Sequence, residues 1–311
     1  MAPRSTVVVV TWRGRAHITR CLDALAAQVI PHRTVVVDNA SDDGTAELIA
    51  AHPSRPEVIR LPANAGYAGG LAAAEPLVDT DFVAWLNDDA TPDPRWLAEL
   101  ESALDADPRI GAVSARLEAP DGTLTSTGVR LTPIGYGADT TAAEVFGFCG
   151  GAALLRTSAL RAIGGVPAEF FCYYEDTDTS FRLRLAGWEI ITVPAARVRH
   201  VLGASTRPGS RRFHRWNERN RLLMLLRCAP ARVALRELAR FAAITVLLPV
   251  RRRGPEGANF EIGLRLRVLG EVAGRFGAVI GQRRQIGRNA TVGRGAIWRT
   301  FTRSTPRAAD S

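Results

Sequence analysis

The sequence predicts an α/β protein: a mostly parallel, Rossmann-like sheet flanked by helices, with a C-terminal helical, Arg-rich extension. Three observations predict it. Strand and helix patterns alternate four times in the first 100 residues, the order that builds a parallel sheet with right-handed crossovers. The first two strand patterns, at 6–11 and 34–38, are unbroken Val runs, as in strands buried on both faces. The texture then changes near residue 215, where a mildly acidic front gives way to a strongly basic tail.

The elements follow in order. TVVVVT at 6–11 is the first strand, and Trp12-Arg13-Gly14-Arg15 is its turn. Ile18, Cys21, Leu22 and Leu25 fall on one face of a helix. TVVVD at 34–38 ends in DNASDDGT, and a helix runs on to about residue 51 with Ser41 or Asp42 as its cap. Residues 57–61 are a shorter third strand, and NAGYAGG at 64–70 opens an Ala-rich helix. FVAWL at 82–86 is the fourth strand and ends in Asn87, Asp88 and Asp89. Pro92 and Pro94 then break the chain, and Trp96 starts a helix. Residues 109–117 read as a strand, and 119–146, rich in Gly, Thr and Pro, as a hairpin or variable loop. FCGGAALLR at 148–156 is a strand with a Gly pair, where something approaches the backbone closely. FFCYY at 170–174 leads into Glu175-Asp176-Thr177-Asp178 and a helix that Gly187 ends. Residues 190–193 and 196–200 are short strands. Further on, helices are expected at 220–226 and 232–250. The second carries Arg232, Arg236 and Arg240 at i, i+4 spacing and closes on Arg251-Arg252-Arg253. Residues 261–285 repeat the mixture of Leu, Val and Arg.

Composition sets bounds. The 311 residues hold 46% hydrophobic and 23% charged side chains, ordinary for a globular protein. All 40 basic residues are Arg. Residues 1–215 carry 21 Arg against 25 acids, a net of −4, and residues 216–311 carry 19 against 6, a net of +13. Such a tail seeks anionic partners. It lacks the interleaved aromatics of a nucleic-acid binder, so no nucleic acid is expected. The four cysteines form no Cys-x-x-Cys pair, which fits a reducing, cytoplasmic compartment. Met1 leads straight into the first strand, so no signal peptide is expected. No run of 18 uncharged apolar residues predicts a membrane span.

Several residues carry chemistry, each with a plainer alternative. Asp88 and Asp89 end a buried strand, where ligands of open α/β sheets bind. Two adjacent carboxylates there suit a divalent metal that holds a diphosphate, or else a solvated turn that caps the next helix. Asp38 ends a strand at the same edge and suits a base or ribose hydroxyl, or an Asx turn. Gly66, Gly69 and Gly70 offer backbone N–H groups suited to phosphate, or simply a tight turn. The segment is neither Gly-x-Gly-x-x-Gly nor a P-loop. Glu175, Asp176 and Asp178 meet a helix dipole, and one of them could act as a general base. His200 suits Mn²⁺ or Mg²⁺ beside a carboxylate, or a structural place in the core.

Taken in order, DNASDDGT, NAGYAGG, LNDDA, CGGAALLR, YYEDTD, RLAGW and RVRH resemble the family 2 glycosyltransferases of the GT-A fold. The match is nearest to the bacterial branch of rhamnosyltransferases and galactofuranosyltransferases of cell-envelope glycan assembly, and it covers about residues 5–205. The resemblance implies a GT-A catalytic domain at 1–214 and a basic extension at 215–311. It implies that Thr11, Asp38, Asn64 and Gly66 line the nucleotide pocket. Asp89, supported by Asp88, would bind Mg²⁺ or Mn²⁺ across the two phosphates, with His200 in the metal shell. Asp176 would be the catalytic base. Gly150, Gly151, Glu175 and Trp188 would border the acceptor and sugar, Trp188 from behind. The donor would be a dTDP-, UDP- or GDP-sugar and the acceptor a glycan or polyprenyl-linked hydroxyl, attacked with inversion. An anionic membrane surface at the inner face of the plasma membrane suits the tail, as does packing on the catalytic domain. Two positions depart from the pattern: Trp12 stands where Tyr or Phe is common, and Arg199 where Trp often precedes the His. An inactive GT-A-like scaffold is the alternative, and the presence of Asp89, Asp176 and His200 argues against it.

Overall fold

The structure is a computed structural model that describes residues 2–201, 209–250 and 257–302. Arg251, Arg252 and Arg253 lie outside the described residues. In chain order the first part contains β1 (Ser5–Thr11), α1 (Ile18–Ala26), β2 (Arg33–Asp38), α2 (Thr45–Ala51), β3 (Glu57–Arg60), α3 (Gly66–Ala74), β4 (Phe82–Asn87), β5 (Ala90–Pro92) and α4 (Trp96–Ala106). There follow β6 (Ile110–Glu118), β7 (Leu124–Ser126), β8 (Gly128–Leu131), β9 (Gly137–Thr140), β10 (Ala152–Arg156), α5 (Thr157–Ala162), α6 (Glu175–Leu185) and β11 (Glu189–His200). The extension holds α7 (Arg211–Cys228), α8 (Ala231–Leu247), α9 (Ile262–Gly274), α10 (Phe276–Asn289) and α11 (Arg294–Thr302).

The main sheet runs β3-β2-β1-β4-β10-β6-β11-β5, with β7 on β6. β3, β2, β1 and β4 are parallel, as the alternating patterns predict. β10 enters antiparallel between β4 and β6, and β11 runs parallel to β6. The expected loop at 119–146 contains the β8–β9 hairpin. The two short strands expected at 190–200 are one strand, whose register slips between Val193 and Arg197 where Pro194 interrupts it.

The alternating side chains of the Val runs separate the core into two layers. Val7, Val9 and Val36 face α1, α2 and α4. Val8, Val10, Val35 and Val37 face the layer of α3, α5 and α6. α1 buries Ile18, Cys21, Leu22 and Leu25, the stripe read from the sequence. The cap of α2 differs from expectation. Ser41 accepts from the Arg13 amide and Asp42 pairs with Arg13, which leaves Asp43 to accept from the Thr45 N–H.

The extension does not build a core of its own. Leu222, Leu223, Met224, Leu225 and Leu226 of α7 join the cluster that contains Val8, Trp85 and Phe181, and so does Trp298 of α11. α7 begins nine residues before the Leu run because Ser210 caps it, its side chain accepting from the Phe213 N–H at 3.2 Å.

Candidate active site

Parallel register assembles one edge of the sheet. Thr11 lies opposite Asp38, and Val10 opposite Asn87. The ends of β1, β2 and β4 therefore share one rim, and Asp88 and Asp89 follow directly. Thr11 Oγ1 donates to Asp88 Oδ2 at 2.5 Å, and both side chains are buried. A Cβ on Gly14 would collide with both oxygens, so this turn requires glycine. Burial, and then the charge of Asp89, push Asp88 up to about 6 against the Thr11 hydrogen bond.

β5 was not legible in the sequence, and it makes the contact that matters on this side. It folds back antiparallel on β11 with Ala90 opposite His200. That pairing places Asp89 Oδ1 3.0 Å from His200 Nε2. Asn87 Nδ2 lies 3.0 Å from the same nitrogen. Asn87 demands an acceptor there and Asp89 a donor, and one nitrogen cannot be both. His200 Nδ1 is buried with no hydrogen-bond partner. A hard divalent cation between Asp89 and His200 removes the conflict, so the donor set fits Mg²⁺ or Mn²⁺ completed by phosphate and water oxygens. Among the described residues no group of three or more His, Cys, Asp or Glu forms a closed metal cage.

On the other side stands the first turn of α6. Asp176 Oδ2 accepts from the Gly150 N–H at 3.1 Å, and Oδ1 from the Thr177 N–H and hydroxyl at 2.5 and 3.0 Å. Burial raises the pKa of Asp176, and burial with the neighbouring Asp176 charge pushes Glu175 up to about 8. Glu175 Oε2 is buried with no hydrogen bond. Asp178 is a different case. It is fully buried, its carboxylate 2.7 Å from Arg182 Nε, and it serves the core.

Gly150 and Gly151 join the two sides. Gly150 meets Asp176, and the Gly151 carbonyl accepts from the Asn87 N–H at 3.0 Å. A Cβ on Gly151 would stand 3.4 Å from Asn87 Nδ2 and 3.7 Å from His200 Cε1. The Gly pair precedes β10 rather than lying within it.

Other expected residues have local duties. Asp38 Oδ1 accepts from the Ser41 N–H at 2.9 Å, while its buried Oδ2 has no hydrogen bond and lies 3.6 Å from Arg60 Nε. Asn64 Oδ1 accepts from the Gly66 N–H at 2.7 Å, so that amide is already engaged. Gly66 has φ of 75°, and a Cβ there would collide with the Phe171 carbonyl. Trp188 is placed elsewhere. It packs on Gly111 at the start of β6, opposite the rim where β4 ends, because β11 must run its whole length to deliver His200. Its expected place behind the acceptor site is corrected accordingly. Sequence reasoning missed Asn39 and Tyr67. Asn39 accepts from the Ala65 N–H and donates to the Gly66 carbonyl, and the Tyr67 hydroxyl donates to the Gly150 carbonyl at 2.6 Å. Both sit inside the quoted motifs, where an amide or phenol that closes a buried loop was the available signal.

A sheet of this order with helices on both faces is that of the GT-A glycosyltransferases. Solved structures agree in fold. The mannosyltransferase PcManGT from Pyrobaculum calidifontis, in complex with GDP-Man and Mn²⁺, superposes with TM-score 0.54 at 23% identity, covering 96% of this chain and 79% of that one. S. aureus TarS 1–349 in complex with UDP-GlcNAc gives 0.55 at 15% identity, over 96% and 90%. This chain belongs to glycosyl transferase family 2, whose model matches residues 6–164. It is 31% identical over 238 residues to the N-acetylglucosaminyl-diphospho-decaprenol L-rhamnosyltransferase of Mycobacterium tuberculosis, covering 64% of this chain and 76% of that protein. The chain is therefore a glycosyltransferase.

Proposed function

We propose that this glycosyltransferase is inverting and metal-dependent, and that it moves rhamnose or a similar sugar from a nucleoside diphosphate to a hydroxyl of a lipid-linked or cell-envelope glycan. The observation that carries the reading is the Gly150–Gly151 pair, which touches Asp176 on one side and Asn87 and the His200 ring on the other. A sugar over this pair would have a carboxylate at one end and the Asp89–His200 set at the other. Thr11, Asp38 and Asn64 line the nucleotide end in this reading.

Asp176 takes the proton from the acceptor hydroxyl as its oxygen attacks the anomeric carbon. The bond from that carbon to the diphosphate oxygen breaks, and the diphosphate leaves with the electron pair, which inverts the carbon. Asp89 Oδ1 and His200 Nε2 would hold the divalent cation, which supplies positive charge to the departing diphosphate. Asp88 keeps Thr11 and the Gly14 turn fixed beneath it. The inactive-scaffold alternative leaves the buried Asp176, Asp89 and His200 without a purpose.

The rhamnose and lipid-linked classes follow from the mycobacterial relative. A second observation favours an anionic membrane surface as partner. Six of the eight exposed large hydrophobics among the described residues, Leu235, Val246, Leu247, Ile262, Leu266 and Phe276, lie on α8–α10. The described acids of the extension, Glu218, Glu237, Glu261 and Glu271, each pair with Arg. The outer face thus offers Arg and apolar side chains together, which suits anionic lipid and opposes pairing with a second copy. No helix among the described residues is long and apolar enough to cross a membrane. The enzyme would work at the cytoplasmic face of the membrane, with 1–214 as the catalytic domain and the extension toward lipid.

A thermal-shift screen of dTDP-rhamnose, UDP-galactofuranose, UDP-glucose and GDP-mannose with and without Mn²⁺ tests the reading. Selective stabilisation that requires the metal is expected. Equal midpoints with all four sugars, and no turnover of any, would remove it.

A further inference from the structure

The segment that delivers Glu175 and Asp176 is bent in a costly way. Phe171, Tyr173 and Tyr174 have φ of 66°, 71° and 71°. Each such non-glycine residue costs about 1 kcal/mol or more and persists only where its surroundings fix it. The bend turns the carbonyls of Phe170, Cys172 and Tyr173 toward α7. Asn220 Nδ2 donates to all three, at 2.9, 2.9 and 2.8 Å. Asn220 Oδ1 accepts from Arg219 Nε at 2.9 Å, which fixes the amide the right way round. Arg219 Nη2 adds a bond to the Phe170 carbonyl at 2.7 Å. Trp216 stacks on Phe171 with centroids 4.6 Å apart. From the opposite side, the Ala68 N–H of α3 donates to the Phe171 carbonyl at 3.0 Å.

We propose that Asn220, oriented by Arg219, is a positioning residue that holds this segment in its bent form and so keeps Asp176 against Gly150. The proposal rests on Asp176 as the base. Fold alone does not call for these side chains. The neighbouring Leu222–Leu226 run anchors α7 in the core, and an apolar residue at 220 would pack there equally well. It would leave three buried carbonyls without donors. Tyr174 directly precedes α6, so a released bend shifts the first helical turn and moves Asp176. A shift of about 1 Å costs about 100-fold in rate while binding elsewhere is kept.

The test uses the full chain with whichever of the four nucleotide sugars the wild type turns over. Asn220→Asp keeps the size and removes every donor. The expected result is a kcat lower by about 100-fold, with donor KM and nucleoside diphosphate affinity within about threefold. The acid limb of kcat/KM moves to lower pH, because a loosened Asp176 is hydrated. Amide exchange over residues 170–176 quickens. If Asn220→Asp does not fold, Trp216→Ala, at a half-buried site, carries the same signature at about tenfold. A folded Asn220→Asp with kcat within about twofold of wild type overturns the proposal, and so does equal loss of nucleotide affinity and rate. A wild type that turns over none of the sugars counts against the transfer reading instead, while exchange at 170–176 still tests the clamp.

Discussion

The two carboxylates at the start of α6 divide proton chemistry by burial. Asp176 is tied to Gly150 and Thr177, whereas Glu175 Oε2 is buried without a hydrogen bond. Asp176→Asn is expected to cut transfer by about 1000-fold and to leave nucleotide binding measured by calorimetry unchanged. Glu175 makes a separate prediction about stability. Its pKa is raised in the fold, so the folded state binds more protons than the unfolded chain between the ordinary glutamate value near 4.5 and about 8. Stability therefore falls as pH rises through that window. Glu175→Gln should raise the thermal midpoint at pH 8 by a few degrees, and the gain should vanish near pH 4.5. A gain of the same size at both pH values would show that packing, not charge, is responsible.

At the scale of elements, the first four strands were legible because Val runs bounded by polar loops leave little choice of structure. Asp88 and Asp89 were legible as a site because a buried strand ends on them. β5 was not, because three residues between two breaks carry no period, yet β5 is what brings Asp89 to His200. The start of α7 was hidden for a similar reason: its first turns read RRFHRWNER, with no apolar stripe. Trp188 was misplaced because a motif fixes the order of residues along the chain but not the end of the sheet at which each one stands. α6 shows how one helix serves both roles. Its Asp178 and Arg182 are a buried pair, and Arg182 also donates to the carbonyls of Ile163 and Gly165. Arg182→Met should cost about 3–5 kcal/mol in urea unfolding, because Asp178 is left charged in the core.

At the scale of the molecule, the exposed face of α8 and α9 can be altered without touching the core. Val246→Glu with Leu266→Glu should keep the thermal midpoint and lower flotation with phosphatidylserine vesicles by at least about tenfold. Unchanged flotation would leave the extension as packing alone. The shared core has another consequence, which concerns the order of synthesis. The amides of Thr291 and Val292 donate to the Leu185 carbonyl, and Phe301 meets the ring of Phe146 at 5.4 Å. The ribosome therefore finishes the nucleotide-facing strands early but supplies the last wall of their interior only within its final few residues. Until then the nascent chain presents Phe146, Phe170 and Phe181 to whatever surrounds it. A message cut short near residue 214 would yield a chain in need of a chaperone rather than a smaller enzyme.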